Sequence, residues 1–181
     1  MDNTNPTVEE VRLWGYDEEL SFLDQDEDVI LNSPRYVPVL MELANDDNCP
    51  KNDYCYVILS AYSSTHLSRR TEEVNEILDS LKNYSGIMNE KLTNWKARCL
   101  KIADLIVNPR KLSIQEAEEI AYHMTVGDFT LRTFKKLREF SSGTLEYVAL
   151  TRDHYKEYFY INPTTSVWKV SRYSPLDPVD F

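Results

Sequence analysis

"AEEIAYHMTVGDFTLRTFKK" occupies residues 117–136, and the way its apolar residues are spaced decides how the whole chain is read. Ile120, Ala121, Met124, Val126, Leu131 and Phe134 stand where two short helices hinged at a turn need their contact residues. A helix through Leu131, Phe134 and Leu137 gathers Arg132, Lys135 and Lys136 on its opposite, exposed face.

Upstream, "NPRKLSIQE" (108–116) is a break and a restart. Pro109 stops one helix, and Ser113 with Glu116 has the spacing of a capping box for the next. The helix before the break runs over 90–107, with Leu92, Trp95, Cys99, Ile102 and Ile106 on one stripe and Leu100 opposite it. Val74, Ile77, Leu78 and Leu81 form the stripe of another helix over 71–82. "DYCYVILSAYSS" (53–64) is apolar on nearly every side of a helical wheel, which predicts a central helix covered on several faces. Pro34 and Pro50 read as first-turn prolines, where a missing N–H costs nothing, and Pro38 delays or kinks the helix that Pro34 opens.

Downstream, the helical part is expected to run to Phe140 and to end in "SSG" at Gly143. The period then changes. "TLEYVAL" (144–150), "YKEYFYI" (155–161) and "SVWKVSRY" (166–173) are rich in aromatic and β-branched residues, and "NPTT" (162–165) is a turn. The expected fold is α+β and mostly α: antiparallel helices followed by a three-stranded antiparallel β-meander. Its organisation reads as an acidic helical region over 1–89, a second region over 90–173 and a tail over 174–181, together one compact unit.

Residues 90–162 resemble the helix-turn-helix and winged-helix superfamily. The apolar positions around the expected turn at Thr125 carry the likeness, and "GTLEYVALTRDHYKEYFYIN" (143–162) has the layout of two strands joined by a wing. The resemblance implies a DNA-binding transcriptional regulator in which Arg132, Lys135 and Lys136 line the recognition helix and Arg152 stands at the wing tip. Charge argues the other way. A specific DNA binder commonly neutralises about 6–10 phosphates, whereas residues 91–181 hold fourteen basic and eleven acidic residues, a surplus of three.

The formal net charge of −10 is unevenly placed. Residues 1–60 hold fourteen acidic residues against Arg12, Arg35 and Lys51; residues 61–181 hold sixteen acidic and seventeen basic. An acidic field at the first third repels nucleic acid and steers a basic protein towards it. "GYDEELSFLDQDEDVILNSP" (15–34) mixes seven carboxylates with apolar residues, the signature of an ordered acidic segment. Asp17, Glu18, Glu19, Asp24, Asp26, Glu27 and Asp28 are the candidate partner-binding face, with Tyr16 and Phe22 as aromatic anchors. Twelve tyrosines support a role in recognition, because tyrosine joins apolar area to a polar tip.

Signatures of catalysis are missing from the sequence. His66, His123 and His154 are scattered, no zinc spacing links histidines with Cys49, Cys55 or Cys99, and four glycines leave no phosphate-cradling loop. "DQDEDVILNSPR" lacks the glycine and the final glutamate of a calcium loop. The three cysteines read as reduced, partly buried thiols. No apolar run approaches the roughly 20 residues of a membrane span, and "MDNTNPTVEE" lacks the features of a signal peptide. The expectation is a cytoplasmic, non-enzymatic protein of the inhibitor, immunity or adaptor type, without metal or cofactor, that binds a basic protein.

Overall fold

The computed structural model describes residues 5–20, 31, 33–69, 74–125, 131–151 and 156–171. Among them lie six α-helices, one 3-10 turn and a four-stranded antiparallel sheet, an α+β fold that is mostly helical. The helices are α1 (Val8–Tyr16), α2 (Val37–Asn45), α3 (Asn52–Arg69), α4 (Val74–Asn83), α5 (Glu90–Val107) and α6 (Ile114–Thr125). The strands are β1 (Leu131–Glu139), β2 (Leu145–Thr151), β3 (Lys156–Asn162) and β4 (Val167–Ser171), in that order across the sheet. The chain divides into two compact units: Met1–Tyr62 with Glu72–Leu100, and Ser63–Thr71 with Lys101–Phe181.

In the first unit, α1 starts at a complete capping box. Thr7 Oγ1 accepts from the Glu10 amide at 3.2 Å, and Glu10 Oε2 accepts from the Thr7 amide at 2.8 Å. Its buried side, Val11, Trp14 and Gly15, lies against α2. A Cβ on Gly15 would fall 2.6 Å from both methyl groups of Leu43, so only glycine admits this approach. A 3-10 turn over Pro34–Tyr36 precedes α2, which is the delay that Pro34 and Pro38 predict. Six of the nine residues of α2 are buried, which makes it the core element of the unit. Cys55, Tyr56, Ile58 and Leu59 of α3, with Leu92, Trp95 and Cys99 of α5, extend that core. Asn89 closes the first turn of α5 by accepting from the Leu92 amide at 2.9 Å, and its own amide donates to Asn45 Oδ1 at 2.5 Å.

In the second unit, Ser113 and Glu116 cap α6 as their spacing predicts: Ser113 Oγ accepts from the Glu116 amide at 3.1 Å, and Glu116 Oε2 from the Ser113 amide at 2.9 Å. Arg110, 2.7 Å from Glu116, and the capping amide hold that carboxyl down at about 2. Helix α6 lies across β2 and β3. Its buried residues Ala117, Ile120, Ala121 and Met124 meet the sheet face that carries Leu145, Tyr147, Ala149, Phe159 and Ile161.

The expected second helix of the helix-turn-helix is a strand. Residues 131–139 pair antiparallel with β2 from Leu131↔Thr151 to Glu139↔Leu145, so the sheet has four strands where three were expected. Leu, Lys and Arg favour helix when packing does not decide, but here the ladder with β2 outweighs that preference. The apolar triplet has no common face either: Phe134 stacks on Tyr147 at 5.2 Å, whereas Leu137 is 43% exposed. An edge strand needs only one ladder and one partly buried face, so it need not show the clean alternation that betrays a strand in sequence. "SSG" is accordingly a hairpin turn, with the Phe140 amide donating to Thr144 O at 2.9 Å and Gly143 at φ +80°.

On the opposite sheet face, Glu146 is 1% exposed. Arg138 Nε donates to Glu146 Oε2 at 2.5 Å and Tyr160 OH donates to Oε1 at 2.7 Å, joining β1, β2 and β3 through one carboxylate. By contrast, the buried hydroxyl of Tyr147 has no hydrogen-bond partner among the described residues, and burial pushes its pKa up to about 12. The two tyrosines should therefore respond oppositely to loss of the hydroxyl. Tyr160→Phe is expected to lower unfolding stability by about 1–3 kcal/mol, because it strips a donor from a buried charge, while Tyr147→Phe is expected to leave it unchanged or slightly raised. Urea unfolding midpoints of the two variants check this.

Candidate functional site

The first unit holds seven basic and nineteen acidic residues, net −12, and the second thirteen basic and eleven acidic, net +2. The charge asymmetry of the sequence thus follows the division of the chain. All three basic residues of the first sixty bind acceptors within the unit. Arg12 grips Glu42 at 3.0 and 2.9 Å and also pairs with Glu9. Arg35 bonds to Asn5, Pro6 O and Tyr36 OH. Lys51 is the third, and it shapes the acidic site.

Lys51 stands in the turn before α3. Its Nζ donates to the carbonyls of Trp14 at 2.9 Å, Asp17 at 2.5 Å and Leu20 at 2.5 Å, and lies 4.7 Å above the Trp14 ring. Asp17 Oδ1 accepts from the amides of Glu19 and Leu20 at 3.0 and 3.1 Å, closing the turn from the side-chain end. With the carbonyls of this turn drawn inward to one ammonium, the side chains of Asp17, Glu18 and Glu19 stand exposed. Among the described residues no cation pairs with these three carboxylates.

Tyr16 ends α1 beside this turn, 45% exposed, with its hydroxyl donating to Asp46 Oδ2 at 2.5 Å. That bond, helped by desolvation, pushes Tyr16 up to about 12; it also holds the Asp46 carboxyl below its ordinary value, together with the Asn48 amide at 2.9 Å. Cys49 Sγ donates to Gly15 O at 3.1 Å from the same 46–51 turn. Leu13, 61% exposed, precedes Tyr16 by one helical turn, and Tyr54, 38% exposed, tilts its ring 6.1 Å from Trp14. The site is an anchored acidic turn bearing apolar and aromatic groups at its margin.

Of the residues singled out from sequence, Tyr16, Asp17, Glu18 and Glu19 come together here. Phe22, Asp24, Asp26, Glu27, Asp28 and Arg152 lie outside the described residues. Arg132, Lys135 and Lys136 fall in β1, where successive side chains alternate between faces; Lys135 and Lys136 therefore point to opposite sides of the sheet and do not form the shared face of a recognition helix. Sequence reasoning missed Lys51 and the Arg138–Glu146–Tyr160 cluster. The available signal for Lys51 was its isolation, a single cation within a long acidic stretch.

Cys49 and Cys55 are buried and unoxidised, and desolvation raises both thiols well above the range of a reactive nucleophile. Among the described residues no group of His, Cys, Asp and Glu could hold a metal ion, and no helix is long and apolar enough to cross a membrane. No protein-family profile, curated protein or solved structure matches the chain.

Two outcomes are expected. Lys51→Met should cost about 2 kcal/mol in urea unfolding, by stripping the ammonium from the Asp17 and Leu20 carbonyls and leaving Trp14 O with the Asp17 amide, and should speed amide exchange at Glu19 and Leu20. Tyr16→Phe should remove a pH-dependent contribution. Asp46, ordinarily near 3.8, stabilises the fold above that pH, and its contribution fades as pH falls through the lowered value. Tyr16, ordinarily 10.0, contributes below that pH, and its share fades as pH rises towards about 12. The midpoint difference between Tyr16→Phe and the parent should be flat from about pH 5 to 9 and shrink below about pH 4.

Proposed function

We propose that this protein acts by binding another protein, without catalysing a reaction, and that its acidic unit presents the surface a basic partner recognises. One observation carries the reading: Lys51 holds the carbonyls of the 14–20 backbone, while Asp17, Glu18 and Glu19 are exposed with no pairing cation among the described residues, in a unit of net charge −12. Asp24, Asp26, Glu27 and Asp28 continue the same run of sequence and enlarge its field. Tyr16 and Phe22 supply the anchors around which charged rims commonly gain their specificity. Inhibitors, immunity proteins and regulatory adaptors, acting in the cytoplasm, use this chemistry.

Association of such a pair is steered by charge, so its rate falls with salt. Replacing Asp17, Glu18, Glu19, Asp24, Asp26, Glu27 and Asp28 by their amides should slow association with the captured partner about tenfold or more at low salt and flatten the salt dependence. Retention of the same partner by parent and amide variant to equal extent in a pull-down would sink the proposal.

A further inference from the structure

The second unit exposes a different kind of surface. Strand β1 is the terminal strand of the sheet, nine residues long, and β2 is its only ladder partner among the described residues. Its other backbone edge is a row of amides and carbonyls able to accept a further strand. Thr133, Lys135, Lys136, Leu137, Arg138 and Glu139 are all exposed along it. The strand "LRTFKKLRE" carries four basic residues and one acidic.

We infer that the free edge of β1 accepts an extended acidic segment of another protein as a fifth strand. Charge and register select this occupant. In an antiparallel pair, residues directly opposite lie about 4.5–5.5 Å apart, and like charges there are destabilising. A second copy of β1 meets that penalty in the central registers: pairing centred on Lys135, on Lys136 or between them sets lysine against lysine. The same lysines that turn away a copy of this chain favour a strand with carboxylates opposite them.

The pattern of the guest follows from the strand. Lys135 pairs with Val148 and Lys136 with Tyr147, so the two ammonium groups lie on opposite faces of the sheet. Two consecutive carboxylates, one for each face, answer them. Lys136 has its charge shared with Glu139 at 3.1 Å, and Arg138 is committed to Glu146 and to the Phe140 ring at 4.6 Å. Lys135 is therefore the uncommitted cation of the strand among the described residues, on the face away from α6, with Thr133 beside it suited to β-branched neighbours. The acidic surface of the first unit takes no part, so the two proposals stand or fall separately.

The test uses the full chain and a labelled synthetic peptide of about nine residues, threonine and valine alternating around a central Glu-Glu pair. Fluorescence anisotropy should show saturable binding, and hydrogen exchange should show new protection at alternate amides of β1. A peptide with a Lys-Lys centre, and one methylated at its backbone nitrogens, should each bind at least about tenfold more weakly. Lys135→Glu should weaken the parent peptide by about tenfold without moving the unfolding midpoint, since that side chain is exposed and has no ion-pair partner among the described residues. Equal binding of the methylated peptide means charge attraction without strand addition and overturns the inference. So does equal binding of the Lys-Lys peptide, or no binding of the Glu-Glu peptide at millimolar concentration.

Discussion

One ammonium group organises the acidic unit. Lys51 Nζ gathers the carbonyls of Asp17 and Leu20 and that of Trp14, which also accepts the capping amide of Asp17 at 3.3 Å, and it lies over the Trp14 ring. A carbonyl left unpaired in a part-buried turn would cost about 1–3 kcal/mol, so one cation with three donors resolves at once what the Asp17 and Leu20 carbonyls would otherwise each leave open. The arrangement also settles which way the turn faces. Backbone oxygens point towards the fold, and the carboxylates of Asp17, Glu18 and Glu19 are left in solvent. The Gly15 approach to Leu43 and the Cys49 contact with Gly15 O lie at the same end of α1.

A second cation resolves the matching problem in the sheet. Glu146 is almost fully buried, and an isolated buried carboxylate would be expelled or neutralised. Arg138 and Tyr160 supply charge and hydrogen bonds from the strands on either side, so β1 is fastened to the sheet by more than its ladder. Such a tether matters most for an edge strand, which has half the backbone partners of a central one. It also explains how a segment with a helical composition is held extended.

Local sequence signals were reliable where they were self-contained. Ser113 and Glu116 cap α6 because a capping box involves only its own four residues, and the stripe of Leu92, Trp95 and Cys99 is buried because a long amphipathic period has one solution. Thr7 and Glu10 carry the same capping signal for α1, and it was legible but overlooked. Strand β1 was not legible. Its conformation is set by β2, more than five residues further along the chain, and its residues at 131, 134 and 137 fit a helical period by coincidence of spacing. Lys51 was legible only as an oddity of charge, because its three acceptors are backbone atoms that any sequence possesses.

Tyr16 limits the kind of group the acidic surface is suited to receive. Its hydroxyl is committed to Asp46, so a partner of the kind proposed would meet the ring and the neighbouring carboxylates and not the phenol as a free donor. An aromatic face beside Asp17, Glu18 and Glu19 suits a cation that is planar and weakly hydrated, which favours arginine over lysine. Because the ring is already fixed by that hydrogen bond, less side-chain entropy remains to be lost on binding. The bond that shifts the titration of Tyr16 therefore also fixes the ring for the anchoring role proposed for it.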